Sequence, residues 1–164
     1  MKRGDVLLAL RSLVAAAALP GTITILVPRL LLGRGERFAL GPIRFLFIVP
    51  LVCAAAGLVW CIVDFARLGR GTLAPLDPPR FVVRGGLYRW VRNPMYVCVA
   101  AILLSEALLF ESRPLLSWTI VVALGFHIFV VLYEEPHLRR TFGADYEAYT
   151  RAVRRWTPRR PRSG

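Results

Sequence analysis

The sequence holds 164 residues, 56% of them hydrophobic, and its mean hydropathy is +0.54, yet 22 Lys+Arg against 10 Asp+Glu give a formal net charge of +12. The apolar excess excludes a disordered chain, and three cysteines are too few for a disulfide scaffold. An integral membrane protein with apolar spans and basic connections satisfies both facts. Every basic residue except Lys2 is Arg, so the positive surface consists of flat guanidinium forks.

A helix needs about 20 mainly apolar residues to cross ~30 Å of hydrocarbon. Four segments qualify. Ser12–Leu32 is charge-free up to Val27, and Pro20-Gly21 predicts a break or kink within it. Its Met-Lys-Arg approach suggests a signal peptide, but Asp5 and Arg11 interrupt it and no small-residue cleavage site follows, so a retained span is expected. Phe45–Val63 is charge-free and ends at Asp64. Pro94–Phe110 is apolar except for Glu106, and Pro114–Tyr133 is charge-free but holds His127. The short Glu111–Arg113 connection makes the last two spans a helical hairpin. The stretch FGADYEAYTRAV then reads as an amphipathic helix with Phe142, Tyr146, Tyr149 and Val153 on one stripe, a surface anchor and a lid. The expected fold class is therefore all-α and integral to the membrane, with about four transmembrane helices and a cytosolic amphipathic helix. Residues 1–66 are expected to form the N-terminal spans, and 67–164 a core that holds the last two spans, the basic tail and the candidate site.

Arginines set the direction. The Arg67–Arg92 connection holds six Arg against Asp77, and the tail after Pro136 holds eight against Asp145 and Glu147. With four spans both lie on one side, which places them and the N-terminus in the cytoplasm. Arg34, Arg37 and Arg44 in the first outer loop weaken the contrast without reversing it.

Counting back from the turn at ~1.5 Å per residue brings Arg92–Tyr96 and Tyr133–Pro136 to the same height, at the cytoplasmic membrane surface. Asn93-Pro94 reads as an N-cap with proline at the first helical position, and the free N–H groups there, with Arg92 beside them, suit an anion. Phe81, Tyr88, Trp90 and Tyr96 surround the flexible Gly85-Gly86 pair. Opposite stand Glu134 and Glu135, expected at a helix end where the dipole disfavours acids. Boundary carboxylates of this kind are candidate functional groups. A ligand with a carboxylate, an ammonium, a delocalised cation and an aromatic base matches this set; S-adenosylmethionine is one.

The stretches GGLYRWVRNPMYV and, about 40 residues on, EEPHLRRTFGADYEAYTRAVRRWTP resemble the isoprenylcysteine carboxyl methyltransferase family, within the wider phospholipid-methyltransferase-like membrane enzymes. The resemblance covers about Pro75–Pro158, while the first two spans share only hydropathy with the family. It implies S-adenosyl-L-methionine as methyl donor and a lipid-like or small apolar acceptor (carboxylate, thiol or amine) reaching the site from the bilayer. Carried over residue by residue, it implies cofactor contacts at Arg80, Phe81, Val82, Val83, Tyr88, Asn93, Pro94, Met95, Tyr96 and Glu134. It implies that one of the acidic pair, Glu135 or Glu134, lies at the active site, and Arg92, read above as the anion-binding group, joins them as the candidate catalytic residues. Two departures bear on the acceptor. Cys98 replaces a frequent Gly and is expected to narrow the pocket, and Phe129, Val130 and Val131 stand where eukaryotic members carry an Arg suited to prenylcysteine.

Plainer readings stand beside these. His127 faces the same way as Glu134 and is read as a buried histidine bonded to a neighbouring helix, with general base or substrate contact as the other option. Glu106 is expected to snorkel or to pair with an Arg. Cys53, Cys61 and Cys98 lack metal-ligand spacing, so no metal is assigned. The basic tail is expected to meet anionic membrane lipids, not nucleic acid. The competing class is a non-enzymatic membrane scaffold that keeps the hairpin. Oligomeric state is not legible.

Overall fold

The computed structural model describes residues 18–68 and 85–158. The Arg80–Val83 stretch named above and the residues before Ala18 lie outside the described residues. Among those described, the secondary structure is helical apart from one antiparallel bridge between Arg37 and Ser112. Helix α1 covers Ala18–Leu31, α2 Ile48–Leu68, α3 Pro94–Leu109, α4 Arg113–Phe129 and α5 Glu135–Ala152. A 3-10 segment, Gly41–Phe47, leads into α2, and a shorter one, Gly86–Arg89, precedes α3.

The helix does not break at Pro20-Gly21, contrary to expectation; both residues lie inside α1. The distortion comes later, as a π turn over Thr22–Leu26, and Pro28 explains it. Proline has no N–H and its ring crowds the carbonyl four residues back. The ladder widens instead, with Val27 N–H donating to the Thr22 carbonyl. The Ile23 carbonyl is satisfied from another helix, by the Trp118 indole of α4 at 3.2 Å. A second π turn, Val130–Glu134, precedes Pro136 in the same register, and Glu135 N–H donates to the Val130 carbonyl. Through it α4 continues into α5 without a terminus, and the chain next departs from helical geometry at Gly143 (φ 50, ψ −124).

The end of the molecule opposite the acidic pair is closed by one carboxylate. Glu111 takes the left-handed conformation at φ 53, which costs a non-glycine residue about 1–2 kcal/mol. Its carboxylate accepts from Leu40 N at 2.7 Å, Gly41 N at 3.0 Å and Arg44 Nη1 at 3.1 Å. Phe38 N donates to the Glu111 carbonyl, and Arg113 pairs with Glu36. The turn between α3 and α4 is thereby stitched to the α1–α2 connection. The Leu40 amide above all, with the Gly41 amide and Arg44, holds the Glu111 carboxyl below its ordinary value against some desolvation.

Ala54 and Leu58 of α2, Val99, Ile102 and Leu103 of α3 and Val122 of α4 form the main apolar core, with Ile23 and Trp118 against it. The outer faces are apolar too: Leu46, Val49, Val52 and Val59 around α2 and Ile120, Val121, Leu124 and Ile128 on α4 are all exposed. The buried hydroxyls turn back on their own helices, Thr24 to the Pro20 carbonyl, Ser105 to Ala101 and Thr119 to Leu115. A surface this apolar, with these hydroxyls satisfied within their own helices, suits lipid. Two helices, Gly41–Asp64 and Arg113–Ala152, are long and apolar enough to cross a membrane; Ala18–Leu31 and Pro94–Leu109 are shorter apolar helices.

Candidate active site

The site forms where the start of α3 meets the junction of α4 and α5. Tyr96, in the first turn of α3, donates its hydroxyl to Glu134 Oε2 at 3.0 Å, and its ring lies 4.6 Å from that of Phe126 on α4. Arg92, two residues before α3, brings Nη1 to 3.2 Å from Glu135 Oε1. The two sequence segments thus do meet. The helix end expected for the acidic pair does not exist, because the π turn before Pro136 carries the chain straight from α4 into α5. The dipole argument for these carboxylates therefore lapses.

Neighbours in sequence, the two carboxylates have opposite surroundings. Glu135 is 4% exposed and receives both arms of Arg155, Nε to Oε1 at 2.6 Å and Nη2 to Oε2 at 2.9 Å. With Arg92 it forms a triad of two guanidiniums on one carboxylate, which leaves one positive charge in excess. Glu134 is half-buried, and the bond that the structure shows for it is the Tyr96 hydroxyl. A carboxylate removed from water with a neutral partner is a seat for a cation.

Asn93 corrects the capping expectation. It occupies the N-cap position of α3, and Pro94 is the first helical residue, but its side chain makes no capping bond. Its Nδ2 instead donates to the Arg155 carbonyl at 3.2 Å, and Arg92 N donates to the Arg154 carbonyl at 2.9 Å. The segment after α5 thus lies across the start of α3. Arg92 Nε is buried without a hydrogen-bond partner among the described residues, while Nη1 is ion-paired with Glu135. A buried cationic donor beside the first turn of a helix fits a ligand carboxylate.

Tyr88 sits in the 3-10 turn, and the Tyr149 hydroxyl donates to its carbonyl at 2.7 Å. Burial first, then Cys61, Glu134, Tyr149 and Asp64 nearby, hold its phenol above the ordinary value. Met95 packs against the main core. Tyr146, Tyr149 and Val153 are buried with Leu138 and Phe142 beside them, so the predicted stripe is the inner face of α5.

Three expectations need correction. His127 is exposed, not buried, and its Nδ1 accepts from the Trp156 indole at 3.2 Å. Glu106 pairs with no Arg among the described residues, and its Oε2 is buried without a hydrogen-bond partner. Cys98 does not narrow the site; its Sγ lies against Gly57 of α2, where a Cβ would stand 2.9 Å away, and its thiol hydrogen-bonds with Cys61. Glycine on α2 makes the room that a glycine on α3 would have made.

A sequence model of the phospholipid methyltransferase family matches residues 46–145, from the approach to α2 through the acidic pair and most of α5. The chain belongs to this family. No curated protein and no solved structure gives a significant match. The match takes in Asp64, Tyr88, Arg92, Tyr96, Glu134 and Glu135, and ends before Tyr149 and Arg155. Sequence reading missed Arg155 because it lies in an arginine-rich tail with no periodicity to single it out. Its signal is indirect: a buried carboxylate needs more cation than Arg92 alone supplies.

Proposed function

We propose that this phospholipid methyltransferase family member is a multi-pass enzyme with four membrane-crossing helices. Its site faces the cytoplasm, and it transfers a methyl group from S-adenosyl-L-methionine to a lipid-like or small apolar acceptor. The observation that carries the reading is the division of labour at the acidic pair: among the described residues Glu135 is neutralised by Arg92 and Arg155, while Glu134 is bonded by the Tyr96 hydroxyl.

The residues present fit the cofactor. The buried Arg92 Nε at the start of α3 suits its carboxylate, Glu134 suits its ammonium or a cationic acceptor, and Tyr88 and Tyr96 offer aromatic faces. The bound cofactor supplies an electrophilic methyl on a sulfonium. The protein's part is to hold donor and acceptor in line and to exclude water; α5 and the segment after it cover the site for that purpose. Exposed apolar residues along α2 and α4 give a lipid-like acceptor a path from the bilayer. The isoprenylcysteine-type acceptor is one member of this class; amine and thiol acceptors are the others.

Equilibrium binding of S-adenosylhomocysteine to the purified protein tests the reading. Glu134→Gln should weaken binding at least tenfold, about 1.4 kcal/mol. Unchanged affinity and unchanged methyl transfer in both Glu134→Gln and Glu135→Gln would remove the pair from the site. Methyl-labelled cofactor given to membrane extracts, read by mass spectrometry, identifies the acceptor, and an extract with no labelled species favours a scaffold. Cysteine labelling at Gly69–Arg70 from the cytoplasmic side tests the orientation.

A further inference from the structure

Asp64 has no part in the reading above. It stands about one turn before the end of α2, which runs to Leu68. The described chain returns onto it at Gly86. That residue takes φ +55, and a Cβ there would stand 3.1 Å from Asp64 Cγ, closer still to its Oδ2, and 3.5 Å from Trp60 Nε1. Both the backbone conformation and this approach require glycine. Tyr149 of α5 donates its hydroxyl to the Tyr88 carbonyl at 2.7 Å. The Gly86–Arg89 turn is therefore held to both α2 and α5, with Tyr88 near enough to Asp64 and Glu134 to feel both charges.

We infer that Asp64 is a positioning residue: its carboxylate seats the Gly86–Arg89 turn on α2 and so fixes Tyr88 beside Glu134. A shallow acid at the membrane surface would not need a neighbour that excludes every side chain. The structural half of this inference is independent of the proposed activity; its consequence for cofactor binding rests on that reading.

The test uses the full chain in detergent micelles and two readouts, hydrogen–deuterium exchange and S-adenosylhomocysteine binding. Asp64→Ala should speed amide exchange across 85–91 at least tenfold while the α3 and α4 amides keep their protection. Gly86→Ala, which pushes a methyl into the same contact, should give the same local signature. Asp64→Asn, which keeps the side chain's size, should give a smaller rise and carries the test if the other two do not fold. Cofactor-product affinity should fall at least tenfold in Asp64→Ala and stay unchanged in Cys53→Ser. Unchanged exchange across 85–91 in the Asp64 variants that fold overturns the inference. Wild-type binding retained in full by an Asp64→Ala protein with a loosened turn overturns the positioning role. A loosened turn in a protein whose wild type binds nothing supports the seat and counts against the proposed function instead.

Discussion

Replacing Glu135 by Gln keeps the side chain's shape and removes its charge. The carboxylate it replaces is 4% exposed, takes Arg155 at 2.6 and 2.9 Å and faces Arg92 at 3.2 Å. Glutamine keeps one acceptor oxygen and turns an NH2 group toward a guanidinium. Breaking a buried pair from one side costs about 3–5 kcal/mol. The Arg155 side chain is 31% exposed, however, so water restores part of what it loses. The expected cost is about 2–3 kcal/mol, roughly 30- to 150-fold in the folding equilibrium. For a chain of this size that lowers an apparent melting temperature by roughly 5–10 °C. The assay is thermal unfolding in detergent of wild type, Glu135→Gln, Arg155→Met and the double variant. Groups in direct contact should couple by at least about 1 kcal/mol in that cycle. A Glu135→Gln protein that melts within about 1 °C of wild type, with no coupling to Arg155, would refute the structural role of the triad and return Glu135 to the candidates for ligand contact.

Tyr149→Phe removes the donor to the Tyr88 carbonyl and should cost about 1 kcal/mol, read as a lower melting temperature with faster exchange in the Gly86–Arg89 turn. The lowered carboxyl of Glu111 contributes stability in full above the unfolded carboxylate value, about 4.3, and loses it as pH falls through the lower folded value. The penalty of Glu111→Gln should accordingly be present at pH 7 and shrink below about pH 4, measured by thermal unfolding in detergent across that range. A prenylcysteine should be a poor acceptor beside amine-headgroup lipids and thiols, because Phe129–Leu132 offers its carboxylate no cation and Arg139 is engaged by Glu147 at 3.0 Å. Turnover on acetyl-farnesylcysteine with a low-micromolar Michaelis constant, in side-by-side assays, would show another residue supplying the charge.

The apolar segments were legible because apolar helices leave a one-dimensional record: charge-free runs whose starts coincide with helix starts, as at Pro94 and Pro114, next to the first residue of α4. The meeting of Tyr96 with Glu134 followed from the length of the turn at Glu111 and the helical rise. The inner stripe of α5 followed from periodicity alone. What escaped was set by tertiary partners. Nothing local shows that Asn93 gives its amide to the Arg155 carbonyl, that Gly57 accommodates Cys98, or that Trp156 reaches His127. Pro28 shows the same limit: it interrupts the ladder where the Ile23 carbonyl is met by Trp118, a residue 95 positions away.

Pro136 ties these strands together. On an uninterrupted α-helix adjacent residues diverge by about 100°, so a Glu-Glu pair offers one side chain to a neighbouring helix and the other to a different surface. The wider turn over Val130–Glu134 alters that divergence at the pair itself, and π turns of this kind are frequent at functional sites. One carboxylate then faces Tyr96 at the start of α3 and the next faces Arg92 and Arg155, both toward the same crossing. The result is a charge arrangement that neither residue type nor spacing specifies: a satisfied carboxylate that fixes two arginines, and next to it one that, among the described residues, is answered by a phenol. A cationic ligand brought to this crossing meets attraction from Glu134 without having to displace the ion pairs that hold the site together.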